Sequence, residues 1–86
     1  MNDLTNLPNI GKVLAKNLST TGIYNYDNLK DKGTERTILE LLTVLDSCVC
    51  INMIYAIEGA IQGIRWHGLA AERKKELKEF FNTNNI

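Results

Sequence analysis

The stretch Leu7-Pro8-Asn9-Ile10-Gly11, followed by Lys12, Ala15, Leu18 and Gly22-Ile23, decides the fold. Pro8 fixes φ and has no N–H, and Asn9 tolerates a left-handed backbone, so the run predicts a tight turn. The turn opens into a short amphipathic helix from about Asn9 to Thr21. Ile10, Val13, Leu14 and Leu18 form its apolar face and Gly22 stops it. A helix that starts this way directs unpaired backbone N–H groups outward at the positive end of its dipole, a site suited to phosphate.

The rest of the chain reads in the helical period, with no sustained alternation of apolar and polar residues. Asn25 is placed to cap a second helix near Tyr26–Lys32, closed by Gly33. Thr34 is placed to cap a third, near Glu35–Asp46, with a core stripe of Ile38, Leu41, Leu42 and Leu45. A fourth helix, about Ile51–Ile64, turns Met53, Ile54, Ala56, Ile57, Ala60, Ile61 and Ile64 into an apolar arc of about 160°. Beside that arc lie Asn52, Gly59 and Gly63. Two glycines in a helix cost about 1 kcal/mol each relative to alanine, which suggests close approach by another helix. Trp66 is expected to cover the end of the core. A fifth helix near Ala71–Phe81 buries Leu77, Phe80 and Phe81 and otherwise shows mixed charge to solvent. The expectation is a compact, all-α, five-helix single domain over 1–86, with its core at about 4–81 and a frayed tail at 82–86.

Ten basic and ten acidic side chains among 86 residues give zero formal net charge. Residues 1–46 carry five basic and six acidic groups and residues 47–86 carry five and four, so neither half is a basic arm. Any DNA contact must be local and salt-sensitive. A domain of this size has a stability on the order of 4–12 kcal/mol. Met1-Asn2-Asp3 begins no secretory signal, and Asn52, Glu58 and Gln62 interrupt the longest apolar run. With two cysteines and no signal, the expected setting is the cytoplasm, with reduced thiols and no membrane.

Lys12 and Lys16 stand four residues apart in the first helix, opposite its predicted apolar stripe. Like charges at that spacing mildly destabilise a helix, and Lys12 sits at the wrong end of the dipole. An anion held by the N–H groups of Ile10, Gly11 and Lys12 would reverse that cost; two solvated lysines over a structural turn is the other reading. Tyr55, Glu58, Gln62 and Arg65 share a polar stripe on the fourth helix, with room for a Glu58–Arg65 ion pair. Such a stripe is either a solvent face or a surface for another protein, to which Tyr24 and Tyr26 offer an alternative. Cys48-x-Cys50 and the single His67 do not assemble a zinc site, and the thiols are expected to be buried near a helix start. No catalytic constellation, phosphate loop or dinucleotide fingerprint occurs, so no enzyme, cofactor, metal or small-molecule substrate is expected.

The turn and helix, with Asp27-Asn28-Leu29 and Gly33, resemble the C-terminal domain of the TfoX (Sxy) competence regulators. So does the run from Ile51 to Gly63 with its Glu58-Gly59-Ala60 centre, followed in order by Trp66, Leu69, Arg73 and Leu77. The resemblance covers about residues 4–81. It implies an all-α fold related to helix-hairpin-helix and SAM-like domains, and a bacterial regulatory protein of DNA uptake and transformation with no catalytic step. Asn9 stands where DNA-binding hairpins usually carry their first glycine, and its side chain is expected to crowd a phosphate. Residues 1–6 are too few for a full first helix, and the N-terminal domain of full-length TfoX proteins is absent, so a stand-alone copy is expected. Two ligands follow: duplex DNA, held through Asn9, Ile10, Gly11, Lys12 and Lys16 by backbone contacts alone, or a regulatory protein, with the turn serving only the fold.

Overall fold

A computed structural model describes residues 3–44 and 49–84. Among these residues the chain is all-helical. A 3-10 turn at Asp3–Asn6 leads through Leu7–Gly11 into α1 (Lys12–Ser19), followed by α2 (Tyr26–Lys32) and α3 (Thr34–Val44). Then come α4 (Ile51–Gln62), a 3-10 turn at Trp66–Gly68, and α5 (Ala71–Thr83). The helix starts and stops follow local chemistry. Asn25 caps α2, its side chain accepting from the Asn28 N–H at 2.9 Å, and Asn28 in turn accepts from the Tyr24 N–H at 3.1 Å. Gly22 and Gly33 take positive φ at the ends of α1 and α2.

The core is one cluster drawn from every helix. Leu18, Leu29, Ile38, Leu41, Ile54, Ile57 and Leu77 are fully buried in it, each contributing about 1.5–3 kcal/mol of transfer free energy. α4 is the central element and touches α2, α3, α5 and the Trp66 turn. Phe80 and Phe81 pack on the cluster from α5, as their spacing predicts. None of the described helices is long and apolar enough to cross a membrane.

Several sequence expectations are corrected. Ile10 precedes α1 instead of opening it, so Ala15 and Leu18 set the helical phase. At 100° per residue, Val13 lies about 170° from their mean direction, and it is 76% exposed. Thr34 belongs to α3 and does not cap it; its hydroxyl is used elsewhere. Gly63 is not inside α4 but ends it at φ 77, donating its N–H to the Ala60 carbonyl, and a Cβ there would meet nothing. Cys50 is exposed rather than buried. Tyr26 is half-buried, its hydroxyl donating to the Ile61 carbonyl at 2.9 Å, which leaves Tyr24 as the exposed tyrosine of that pair. α5 continues through Thr83, two residues into the expected tail, and Asn84 closes it by donating from backbone and side chain to the Phe80 carbonyl. Leu45, Asp46 and Cys48 lie outside the described residues.

Candidate functional site

The Leu7–Gly11 turn is held from inside. The Leu7 N–H donates to the Leu4 carbonyl at 3.0 Å and the Ile10 N–H to the Leu7 carbonyl at 3.4 Å. Leu4 and Ile10 are buried. Asn9 adopts φ 70 among the described residues, the left-handed conformation that its side chain tolerates better than most. That side chain points into the molecule. Its Nδ2 donates to the Ile64 carbonyl at 2.9 Å and more weakly to the Ala56 carbonyl at 3.4 Å, while its Oδ1 accepts from the Trp66 N–H at 3.2 Å. Asn9 therefore bolts the turn to the corner where the chain leaves α4, and does not face an incoming phosphate. Gly59 lies directly beneath. A Cβ on it would stand 2.5 Å from Asn9 Nδ2, 2.8 Å from the Ile64 carbonyl oxygen and 3.2 Å from the Trp66 Cα. The close approach expected at Gly59 is real, but the visitor is a side chain and a chain reversal, not a helix.

With Asn9 and Ile10 turned inward, the outward part of the turn is Gly11 and Lys12. Gly11 precedes α1 in an extended conformation with no side-chain cap, and the first turn of α1 carries no acidic residue. Among the described residues, the N–H groups of Gly11, Lys12 and Val13 have no hydrogen-bond partner. Lys12 and Lys16 are exposed and have no ion pair among the described residues. The anion position implied by the sequence thus moves by one residue, from Ile10–Lys12 to Gly11–Val13.

Alongside runs an open groove of about 750 Å³ between α1 and α4. Val13, Leu14, Met53, Ala56 and Trp66 supply its apolar surface and Lys12 and Arg65 its charge, and among the described residues no carboxylate lines it. α4 also begins here, at Cys50, with neither a side-chain cap nor an acid in its first turn. Two helix N-termini and two cations thus share one groove. Trp66 stacks with Tyr55 at 5.9 Å and with His67 at 4.0 Å between ring centroids, and Lys74 Nζ lies 5.7 Å from the Trp66 centroid. Asp31 belongs to a separate, smaller cleft with Lys32 and Arg36.

The polar stripe on α4 does not form one exposed surface. Glu58 is buried at 8% exposure. Its carboxylate accepts from Thr34 Oγ1 at 2.7 Å, Gln62 Nε2 at 2.6 Å and Arg73 Nη2 at 2.8 Å. The predicted Glu58–Arg65 pair is not made; Arg65 lines the groove instead. Arg73 also takes Glu35 in a two-pronged contact, 3.0 Å on each prong, and reaches Glu76 at 3.1 Å. The cluster ties α3, α4 and α5 together. Arg73 stands out in the sequence only through the family resemblance, and its ion pairs with Glu58 and Glu35 are not legible there because those partners lie 15 and 38 residues away. Among the described residues, no three His, Cys, Asp or Glu side chains gather as metal ligands would.

Hydrogen bonding to Arg73 holds the Glu35 carboxyl below the usual range. For Glu58, burial pushes the carboxyl up, but bonds from Arg73, Gln62 and Thr34 together outweigh it and the net shift is downward. The Arg73 guanidinium is raised. An unfolded glutamate titrates at about 4.3. The stabilisation from Glu35 and Glu58 is therefore complete above that value and disappears as pH falls through their lower folded values. The urea midpoint should drop as pH falls from about 5 to 3, and drop less in Glu58→Gln. A flat midpoint across that interval in the unmodified chain would refute this assignment.

Among the described residues the domain is all-α and leaves two helix starts without side-chain caps beside a groove lined by Lys12 and Arg65. The chain is a member of the TfoX C-terminal domain family, whose model matches residues 1–81. It is similar to an uncharacterised protein from Listeria monocytogenes seen in a triclinic crystal form. The two are 48% identical with a TM-score of 0.91, over 95% of this chain and 92% of the other. A protein of unknown function from the same organism, in a tetragonal form, is also 48% identical, with a TM-score of 0.87 over 92% and 96% of the two chains. No functionally curated protein matches the chain.

Proposed function

We propose that this chain is a non-catalytic regulatory domain of the bacterial cytoplasm, of the competence-regulator type, that holds duplex DNA by its phosphate backbone at the start of α1. The observation that carries the reading is the set of free N–H groups at Gly11–Val13, with Lys12 and Lys16 exposed one turn apart and no acid in that turn. Asn9, turned inward, leaves the approach clear. A grip of two or three phosphates gives a weak complex whose log affinity falls with log salt at a slope of about −2 to −3. Fluorescence anisotropy with a labelled duplex measures this. Lys12→Glu/Lys16→Glu should abolish binding at low salt, and binding that ignores either salt or the double substitution would disprove the reading.

A second reading, a protein-interaction domain, is favoured by one different observation, the apolar wall of the groove. Its surface is not the whole Tyr55/Glu58/Gln62/Arg65 stripe, since Glu58 is buried in its own network, but the region around Arg65, Trp66 and Val13.

A further inference from the structure

A phosphate grip has no use for the apolar side of the groove. Val13 is 76% exposed, more than any other large apolar side chain among the described residues. It does not stand alone, because Leu14, Met53 and Trp66 line the same groove and are themselves only half-buried. Lys12 and Arg65 flank these residues, and among the described residues no carboxylate lines the groove to answer them. We infer that the groove between α1 and α4 docks an acidic amphipathic segment of a partner protein, with its apolar side chains on Val13 and Met53 and its carboxylates at Lys12 and Arg65.

Charge complementarity selects this occupant. The groove offers positive charge from two side chains and from two uncapped helix starts, so the segment must be acidic; its remaining surface is apolar, so the segment must be amphipathic. A small molecule would need walls that cover most of its surface, and a wall as open as Val13 does not provide them. A nucleic acid has phosphates for Lys12 and Arg65 but little to lay on Val13 and Met53, and the Trp66 ring is already stacked with Tyr55 and His67. Among the described residues, a second copy of this chain presents its exposed, unpaired carboxylates, Asp27 and Asp31 on α2 and Glu72 and Glu79 on α5, interleaved with the exposed Lys30, Lys75 and Lys78, so neither helix offers an acidic stripe.

The test uses the whole chain and a fluorescein-labelled helical peptide of about 15 residues, leucine on one face and glutamate on the other, with a twin carrying lysine for every glutamate. The glutamate peptide should bind at least about tenfold more tightly than the twin. It should also shift the amide resonances of Lys12, Val13 and Met53 and the Trp66 indole. Val13→Asp and Arg65→Glu should each weaken it by about tenfold or more, while Lys78→Glu on α5 leaves it unchanged. Val13 and Arg65 are exposed, so unchanged helical circular dichroism will verify that these variants fold. Equal binding of the twin, resonance shifts away from the groove, or indifference to Val13→Asp would overturn the proposal. So would a dimer in sedimentation that Val13→Asp dissolves.

Discussion

Arg73→Met should destabilise the domain by about 2–4 kcal/mol, a large fraction of its total stability. The guanidinium is the common partner of Glu35, Glu58 and Glu76, and only Glu58 among them is buried. Removing it leaves a carboxylate inside the protein with Thr34 and Gln62 as its remaining donors. The cost is therefore mainly that of an uncompensated buried charge, not of lost attraction. Arg73→Lys should recover little, because an ammonium cannot span the two oxygens of Glu35 and reach Glu58 as a planar fork does. Glu58→Met/Arg73→Met should lie well above the single Arg73→Met variant in stability, since it removes the buried charge with its partner. Urea unfolding measures all three. A single variant within about 0.5 kcal/mol of the unmodified chain would mean that the cluster is a surface decoration.

Gly59→Ala should also destabilise, although alanine is the better helix former by about 1 kcal/mol. The added Cβ meets the Asn9 amide at 2.5 Å and the Ile64 carbonyl oxygen at 2.8 Å. The Asn9 amide is the tip of a side chain and gives way at the cost of its bonds, but the Ile64 and Trp66 backbone can move only if the corner after α4 opens. A net loss of about 1–3 kcal/mol is expected, or a fall in Tm of about 5–20 °C for a domain of this length. Asn9→Ala in the same chain should restore only part of it, because the backbone contacts remain. Such a shared contact makes the two substitutions non-additive, and simple additivity would refute the geometry. A rise in Tm for Gly59→Ala would do the same.

What was legible in the sequence was what neighbouring residues decide among themselves. Asn25 and Gly33 delimit α2 because a cap and a positive φ are local matters. The apolar spacing of Ile54, Ile57 and Ala60 marks the buried side of α4 for the same reason. Val13 was misassigned because Ile10, three residues earlier, lies outside the helix, so the two never share a face. Gly63 looked like Gly59 until the end of α4 separated an interior glycine from a terminal one. Within the candidate site, Gly11, Lys12 and Lys16 were legible as an open helix start. The inward turn of Asn9 was not, since its partners lie 47 to 57 residues further along. The burial of Glu58 escaped for a similar reason: Thr34 and Arg73 come from two other helices.

The Asn9 side chain also fixes an order of assembly. Its three hydrogen bonds all lead to Ala56, Ile64 and Trp66, so the turn before α1 acquires its anchors only once the chain as far as Trp66 is in place. Contacts this distant in sequence are slow to close, and the turn before α1 is among the last parts to reach its native geometry. The loop that would meet DNA is thus completed by the corner beyond α4, and a chain that stops before Trp66 has the residues of the site without its clasp.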